Sequence, residues 1–179
     1  ITKEDLKNAH LENDSNYIDY GNIFNNKMAL LRKASKNRGL FKSQFDYFKQ
    51  TNKWVYDYAL FMVLKQHHDY KAWNQWEDKY KYKDEKALKE FYNEHKEDII
   101  SYMFMQFLYA KQWKDVLKYA HSKNVSIVGD MPIYVAYDSV DVWNDPDLFM
   151  LDQEYNPVDV AGVPPDYFSE TGQLWGNPL

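Results

Sequence analysis

Through residues 20–122 apolar side chains recur every third or fourth position, the spacing of a buried helical face. Phe24, Met28, Leu31 and Ser35 fall at i, i+4, i+7 and i+11, with Leu30 and Ala34 beside them; this predicts an amphipathic helix. Gly39 after Arg38 reads as its stop, and Ser43 as the cap of a short second helix that turns Phe45 and Phe48 inward. Trp54, Tyr58, Phe61, Met62 and Lys65 keep the helical period, and Trp73 and Trp76, three apart, share a face. Leu88, Phe91, Tyr92 and His95 repeat the spacing. From Ile99 through Tyr102, Met103, Gln106 and Leu108 to Trp113, Val116, Leu117 and Ala120 the pattern is that of one long buried helix.

The period changes at Val125. "VSIVGD", Val125–Asp130, is short, β-branched and ends at Gly-Asp, the pattern of one buried strand. A long helix running into such a strand is an α/β signature, and an acid at the carboxyl end of a parallel strand sits where α/β folds place their chemistry. No earlier segment supplies a partner strand, so the β part reads as incomplete. Residues 131–179 show little regular period yet are too aromatic for disorder, which points to ordered loops.

Composition divides the chain at the same place. All six prolines and four of the six glycines lie at or after Gly129. Residues 1–122 carry 21 Lys/Arg against 17 Asp/Glu, and residues 123–179 one against ten, so that +4 and −9 make the net −5. The expected organisation is therefore a helical part, 1–122, and a strand-and-loop part, 123–179. The acidic balance argues against nucleic acid or an anionic membrane as partner. The chain has no cysteine, hence no thiolate metal site, and no apolar run approaches the ~20 residues of a membrane span. Ile1 is not a natural start and no signal peptide follows it, which suggests a piece of a longer, cytoplasmic protein.

Several motifs invite chemistry. His67-His68-Asp69 suggests a metal, but neighbouring side chains on a helix point about 100° apart, so a polar helix end is the plainer reading. "KYKYKDEK" interleaves Lys and Tyr as a single-strand-binding segment would, diluted by Glu77, Asp78, Asp84 and Glu85; a solvated helix terminus and connection explains it. In "DSVDVWNDPD" Val140 and Val142 break the alternation a calcium loop needs, leaving capping and turn roles for its carboxylates, with "NDP" a turn into a short helix. Asp130 stands at a strand end, after which Pro132 turns the chain out. It is either a site carboxylate or a structural one holding a loop. The last eighteen residues, "GVPPDYFSETGQLWGNPL", combine Tyr167, Phe168 and Trp175 with the amides of Gln173 and Asn177. Flat rings cover the C–H faces of sugars and amides read their hydroxyls; a lid over another ligand fits equally.

"IVGDMPIYVAYDSVDVW" (127–143) and "VAGVPPDYFSETGQLWGNP" (160–178) closely resemble the bacterial 4-α-glucanotransferases, also called amylomaltases or disproportionating enzymes, of glycoside hydrolase family 77. The resemblance is continuous over 126–179, and "YIDYGNIFNNKMALLRKA" (17–34) is similar to the family's helical insert. It implies a (β/α)₈ barrel with helical insertions, of which this chain would be a mostly α-helical piece with one or a few short strands. Residues 1–122 would be an insert plus a lead-in helix, and Val125–Asp130 an early barrel strand. Earlier strands would precede Ile1 and most of the barrel would follow Leu179.

The implied activity is transfer of α-1,4-glucan segments between maltooligosaccharides, or glycogen-type α-1,4-glucans, with retention and no cofactor. Retention requires a carboxylate nucleophile and a carboxylic acid/base ~5 Å apart. In the family these lie on later strands, so the resemblance places no catalytic residue and no metal in this chain. It does imply substrate contacts. Asp130, followed by Pro132, would meet the sugar at the cleavage subsite. Pro164–Gly172 would be a mobile loop over the glucan with Tyr167 and Phe168 as its aromatic contacts. Gln173, Trp175, Gly176 and Asn177 would form acceptor subsites. The isolated chain is then expected to be inactive, with an uncovered strand edge that invites self-association. The rival expectation is a non-catalytic helical interaction or glycan-binding module.

Overall fold

The periodic part of the chain is helical in the computed structural model, which describes residues 1–9 and 16–179. Helix α1 is Lys3–Asn8. Helix α2, Tyr20–Asn22, continues through a π turn, Ile23–Lys27, into α3, Met28–Ser35. A 3₁₀ turn, Arg38–Phe41, leads into α4, Lys42–Thr51, followed by α5, Trp54–His67. After a 3₁₀ turn, Trp73–Gln75, come α6, Asp78–Lys81, α7, Glu85–Glu94, and the 27-residue α8, Lys96–Ser122. The last part holds α9, Val140–Asn144, a 3₁₀ turn, Pro146–Leu148, and the strands β1, Val160–Val163, and β2, Gln173–Pro178. Among the described residues no helix is long and apolar enough to cross a membrane.

Two compact units form. One comprises Ile1–Ala59 and Lys96–Asn124, the other Leu60–His95 and Val125–Leu179. Packing thus joins residues 60–95 to the acidic C-terminal part, across the compositional divide.

In the first unit α3 and α4 pack on the first half of α8. Phe45 and Phe48 face inward as their spacing predicts, and meet Phe104 and Phe107 with ring centres 5.3–5.8 Å apart. Ser35, at the end of the predicted stripe, is fully buried because its hydroxyl has two partners, the Arg32 carbonyl at 2.8 Å and the Ser101 hydroxyl at 2.7 Å. Two helix signals misplace their ends. α3 stops at Ser35, short of Gly39, and Ser43 lies inside α4, whose N-terminus is supplied by the 3₁₀ turn that runs straight into it. Phe24 is exposed, and so is the far half of α8, where Tyr109, Trp113, Val116 and Tyr119 face outward. The long helix is present, but buried only over its first three turns.

The second unit is built on tryptophans. Trp73, Trp76 and Trp143 are buried with Phe61, Tyr80 and Phe91. Each indole N–H has a carbonyl: Trp73 donates to Tyr137 (2.8 Å), Trp76 to Lys71 (3.2 Å) and Trp143 to Tyr80 (3.0 Å). A backbone acceptor for each ring lets three large amphipathic side chains pack without an orphaned donor. "KYKYKDEK" is indeed a helix end and a connection: Lys83 has a positive φ of 55°, and Asp84 caps α7 by accepting from Ala87 N. Ser139 caps α9, and "NDP" opens the 3₁₀ turn at Pro146.

Val125–Asp130 is not a strand. It is irregular and exposed, Val128 at 92%, and residues 125–134 make no backbone–backbone hydrogen bond among the described residues. A β-branched run becomes a strand only when neighbours accept its N–H and C=O groups, and this chain brings none alongside. The strands that do form lie where the sequence shows no period. β1 and β2 pair antiparallel, Val160 with Pro178, Gly162 with Leu174 and Val163 with Gln173, with a bulge between Val160 and Gly162. Four-residue β1 and glycine-interrupted β2 are too short and irregular for alternation to be legible.

Candidate functional site

The β1–β2 connection carries Tyr167, Phe168 and Gly172, and β2 itself Gln173, Trp175, Gly176 and Asn177; the shape of the connection follows from local bonds. Asp166 Oδ1 accepts the backbone N–H groups of Phe168 and Ser169, both at 2.9 Å. Asp166 N donates to the Ser169 carbonyl at 2.9 Å, while the Ser169 hydroxyl donates to the Gly172 carbonyl at 2.7 Å. This is an Asx turn, the local side-chain-to-backbone closure that Asp and Ser favour. With the backbone held, the side chains at the tip project outward: Tyr167 is 96% exposed and Phe168 87%, their rings 5.6 Å apart at 88°. Two bare aromatic faces on a fastened turn are costly to leave in water and suited to an apolar-faced ligand.

Along β2 the Trp175 indole N–H donates to Gln173 Oε1 at 3.0 Å, locking an amide beside a half-exposed ring. The Tyr134 ring lies 6.1 Å from Trp175, so a third aromatic joins the surface; the sequence reading passed over it. Its signal was weak, a Tyr two residues after Pro132, and only the folding of 131–137 beside β2 makes it a neighbour. Asn177 spends its amide on the Val135 carbonyl at 2.8 Å, tying β2 to that segment. Gly176 sits at φ +77° with open space around it. Asp130 and Pro132 are exposed on the stretch leading to Tyr134. The structure thus gathers Tyr134, Gln173, Trp175 and Asn177, and hangs Tyr167, Phe168 and Gly172 on the adjoining turn. Among the described residues no group of three or more His, Asp and Glu side chains converges to hold a metal ion.

The turn Asp152–Asn156 is tied to the stretch after Tyr134 through Tyr137. Asp152 Oδ1 accepts from Glu154 N and Asn156 N at 2.9 and 2.8 Å, and the Asn156 backbone bond chiefly holds its carboxyl below the usual range. Tyr137 donates its hydroxyl to the Tyr155 carbonyl at 2.6 Å. Burial, and then the Asp152 charge, push the Tyr137 phenol up to about 12. A phenol with a folded value above its unfolded value of 10.0 contributes stability that is complete below pH 10 and lost as pH rises towards 12. Alkaline titration followed by circular dichroism is expected to show stability falling over that window. Tyr137→Phe is expected to flatten the fall, leaving a remainder from Tyr58, which burial also raises. An unchanged slope in Tyr137→Phe would refute this assignment.

With this geometry, comparison with known proteins is informative. The glycoside hydrolase family 77 model, 4-alpha-glucanotransferase, matches residues 2–179. The 4-alpha-glucanotransferase of Clostridium butyricum is 42% identical over 185 aligned residues, taking in 100% of this chain and 37% of its own length. That of Aquifex aeolicus is 44% identical over 160 residues, 89% of this chain and 33% of its own. Amylomaltase from Streptococcus agalactiae, solved in complex with acarbose, has a TM-score of 0.94 and 40% identity, covering 100% of this chain and 37% of that one. The chain spans 33–37% of the length of these relatives.

Proposed function

This chain belongs to the 4-alpha-glucanotransferase family, glycoside hydrolase family 77, and we propose that it forms part of the glucan-binding surface of a cytoplasmic transferase of that class. The whole enzyme moves α-1,4-glucan segments from one maltooligosaccharide to another with retention, through a covalent glycosyl-enzyme intermediate. Its nucleophile and acid/base lie outside these 179 residues. Within them, Asp130 and Pro132 face the sugar at the cleavage subsite, and Tyr167 and Phe168 close over the glucan on the turn ending at Gly172. Gln173, Trp175, Gly176 and Asn177 border the acceptor. Residues 1–122 serve as helical insert and lead-in helix, and 123–179 as a barrel segment with its loops; 125–130 becomes a strand once neighbouring strands supply hydrogen-bond partners.

The observation that carries this reading is the exposed aromatic pair on a hydrogen-bonded turn beside Trp175 and its tethered Gln173. Rings cover the C–H faces of glucose units and the amides read hydroxyls. A transferase must also keep water from the intermediate, and a loop of this kind excludes it. Incubated with maltotriose, the chain alone is expected to yield neither glucose nor longer oligosaccharides, while maltoheptaose quenches or shifts its tryptophan fluorescence. Transfer products would mean that the nucleophile lies within these residues. Absence of any response to maltoheptaose in a folded chain would remove the binding role and favour a helical interaction module.

A further inference from the structure

Lys65 stands in the last turn of α5, in none of the segments read above as glucan-binding. It is only 9% exposed. A buried ammonium costs several kcal/mol unless paired and fully hydrogen-bonded. Here all three of its protons have acceptors: the Tyr70 carbonyl at 3.1 Å, the Lys71 carbonyl at 2.9 Å and Asp138 Oδ2 at 2.6 Å. The other oxygen, Asp138 Oδ1, accepts the Trp73 backbone N–H at 3.2 Å, and the Trp73 indole donates to the Tyr137 carbonyl at 2.8 Å. Residues 137–138 are therefore fastened at three points to the segment 65–73. Two residues before them, the Val135 carbonyl takes the Asn177 amide. Tyr134 comes next, its ring beside Trp175. Residues 125–134 make no backbone–backbone hydrogen bond among the described residues, so the anchors at 135–138 are what place Tyr134 and the approach from Asp130.

We infer that Lys65 is a positioning residue for glucan binding, acting through Asp138 on the segment that sets Tyr134 against Trp175. This rests on the reading of that surface as glucan-binding. A methionine keeps the aliphatic stem and removes the donors. An arginine cannot replace the lysine simply, because its planar fork does not match three separated acceptors. One amide N–H of Asn177 is committed to the Val135 carbonyl, so this residue too ties β2 to the segment that carries Tyr134.

The test is maltoheptaose titration of the isotope-labelled chain by NMR, with Lys65→Met and Asp138→Asn. Asp138→Asn removes the charge yet keeps an oxygen for Trp73 N, and decides the question if Lys65→Met does not fold. In both variants affinity is expected to weaken about tenfold, the scale of losing one well-placed aromatic contact. The nuclear Overhauser contact between the Tyr134 and Trp175 rings is expected to vanish, and exchange of the Trp73 backbone and indole N–H protons, which donate to Asp138 and to the Tyr137 carbonyl, to accelerate. The Trp143 indole N–H signal, bonded to Tyr80, should stay where it is, which general unfolding would not allow. Unchanged affinity and an unchanged ring contact in a folded variant would overturn the inference. If the unsubstituted chain binds no glucan, the functional reading fails. The anchoring by Lys65 is then judged on the ring contact and exchange alone, and their survival in the variants would overturn it too.

Discussion

Trp143→Ala is expected to remove about 3–5 kcal/mol of stability, the range for a fully buried aromatic truncated in a core. Trp143 is 2% exposed, and its ring centre lies 5.7 Å from Phe61 and 6.0 Å from Trp76. Truncation leaves a cavity that two large rings cannot collapse into, and it removes the indole donor of the Tyr80 carbonyl, which keeps only the longer bond from Lys83 N at 3.3 Å. Against a typical total of about 5–15 kcal/mol, such a loss takes the second unit to the edge of unfolding. Trp143→Phe retains much of the contact and loses the hydrogen bond, so it should cost about 1–3 kcal/mol. Urea denaturation followed by near-ultraviolet circular dichroism separates the two. A Trp143→Ala variant as stable as the unsubstituted chain would show that this cluster does not hold the unit together.

Gly172→Ala is expected to open the β1–β2 connection. Gly172 has φ +75°, and a Cβ built there would lie 2.5 Å from the Val163 carbonyl oxygen and 3.0 Å from Pro164 C. These are backbone atoms of the end of β1 and of the residue after it, which cannot swing aside as a side chain does. The left-handed conformation alone costs an L-residue about 1–2 kcal/mol, and the clash adds to it. Gly176 is the internal control: its φ is +77° but no atom lies within 4 Å of the added carbon. Gly176→Ala should therefore cost only the conformational part, about 1–2 kcal/mol, and keep the Val163–Gln173 pairing. Amide exchange at Val163 and Gln173 reads the difference. Equal protection in the two variants would mean that contact at Gly172 does not shape the turn that presents Tyr167 and Phe168.

Where local chemistry decides, the chain could be read directly. The helical period of 20–122 recurs in α3, α5, α7 and α8, and the inward turn of Phe45 and Phe48 follows from it. The Asx turn at Asp166 and the caps by Ser139 and Asp84 are side-chain-to-backbone bonds within three residues, but the sequence assigns the capping in 138–147 to its carboxylates, whereas Ser139 caps α9 and Asp138 binds Lys65 and Trp73. The kinship with the 4-alpha-glucanotransferases was likewise legible in two continuous motifs, 127–143 and 160–178.

What depends on distant partners was not. The β-branched run 125–130 has every local mark of a strand and stays irregular and unpaired, because a strand is a relation between segments. Irregular 160–178 does form strands, since the two ends of one loop find each other. Lys65, Asp138 and Tyr134 carried no sequence signal above that of a helix end, a cap and a loop residue. Their importance arises from bonds spanning 73 residues between Lys65 and Asp138 and 42 between Asn177 and Val135. Side-chain type and spacing settled the helices and the family. Long-range pairing, whose loop-closure cost is offset only by contacts formed together, settled which strands exist and which aromatic rings share a face.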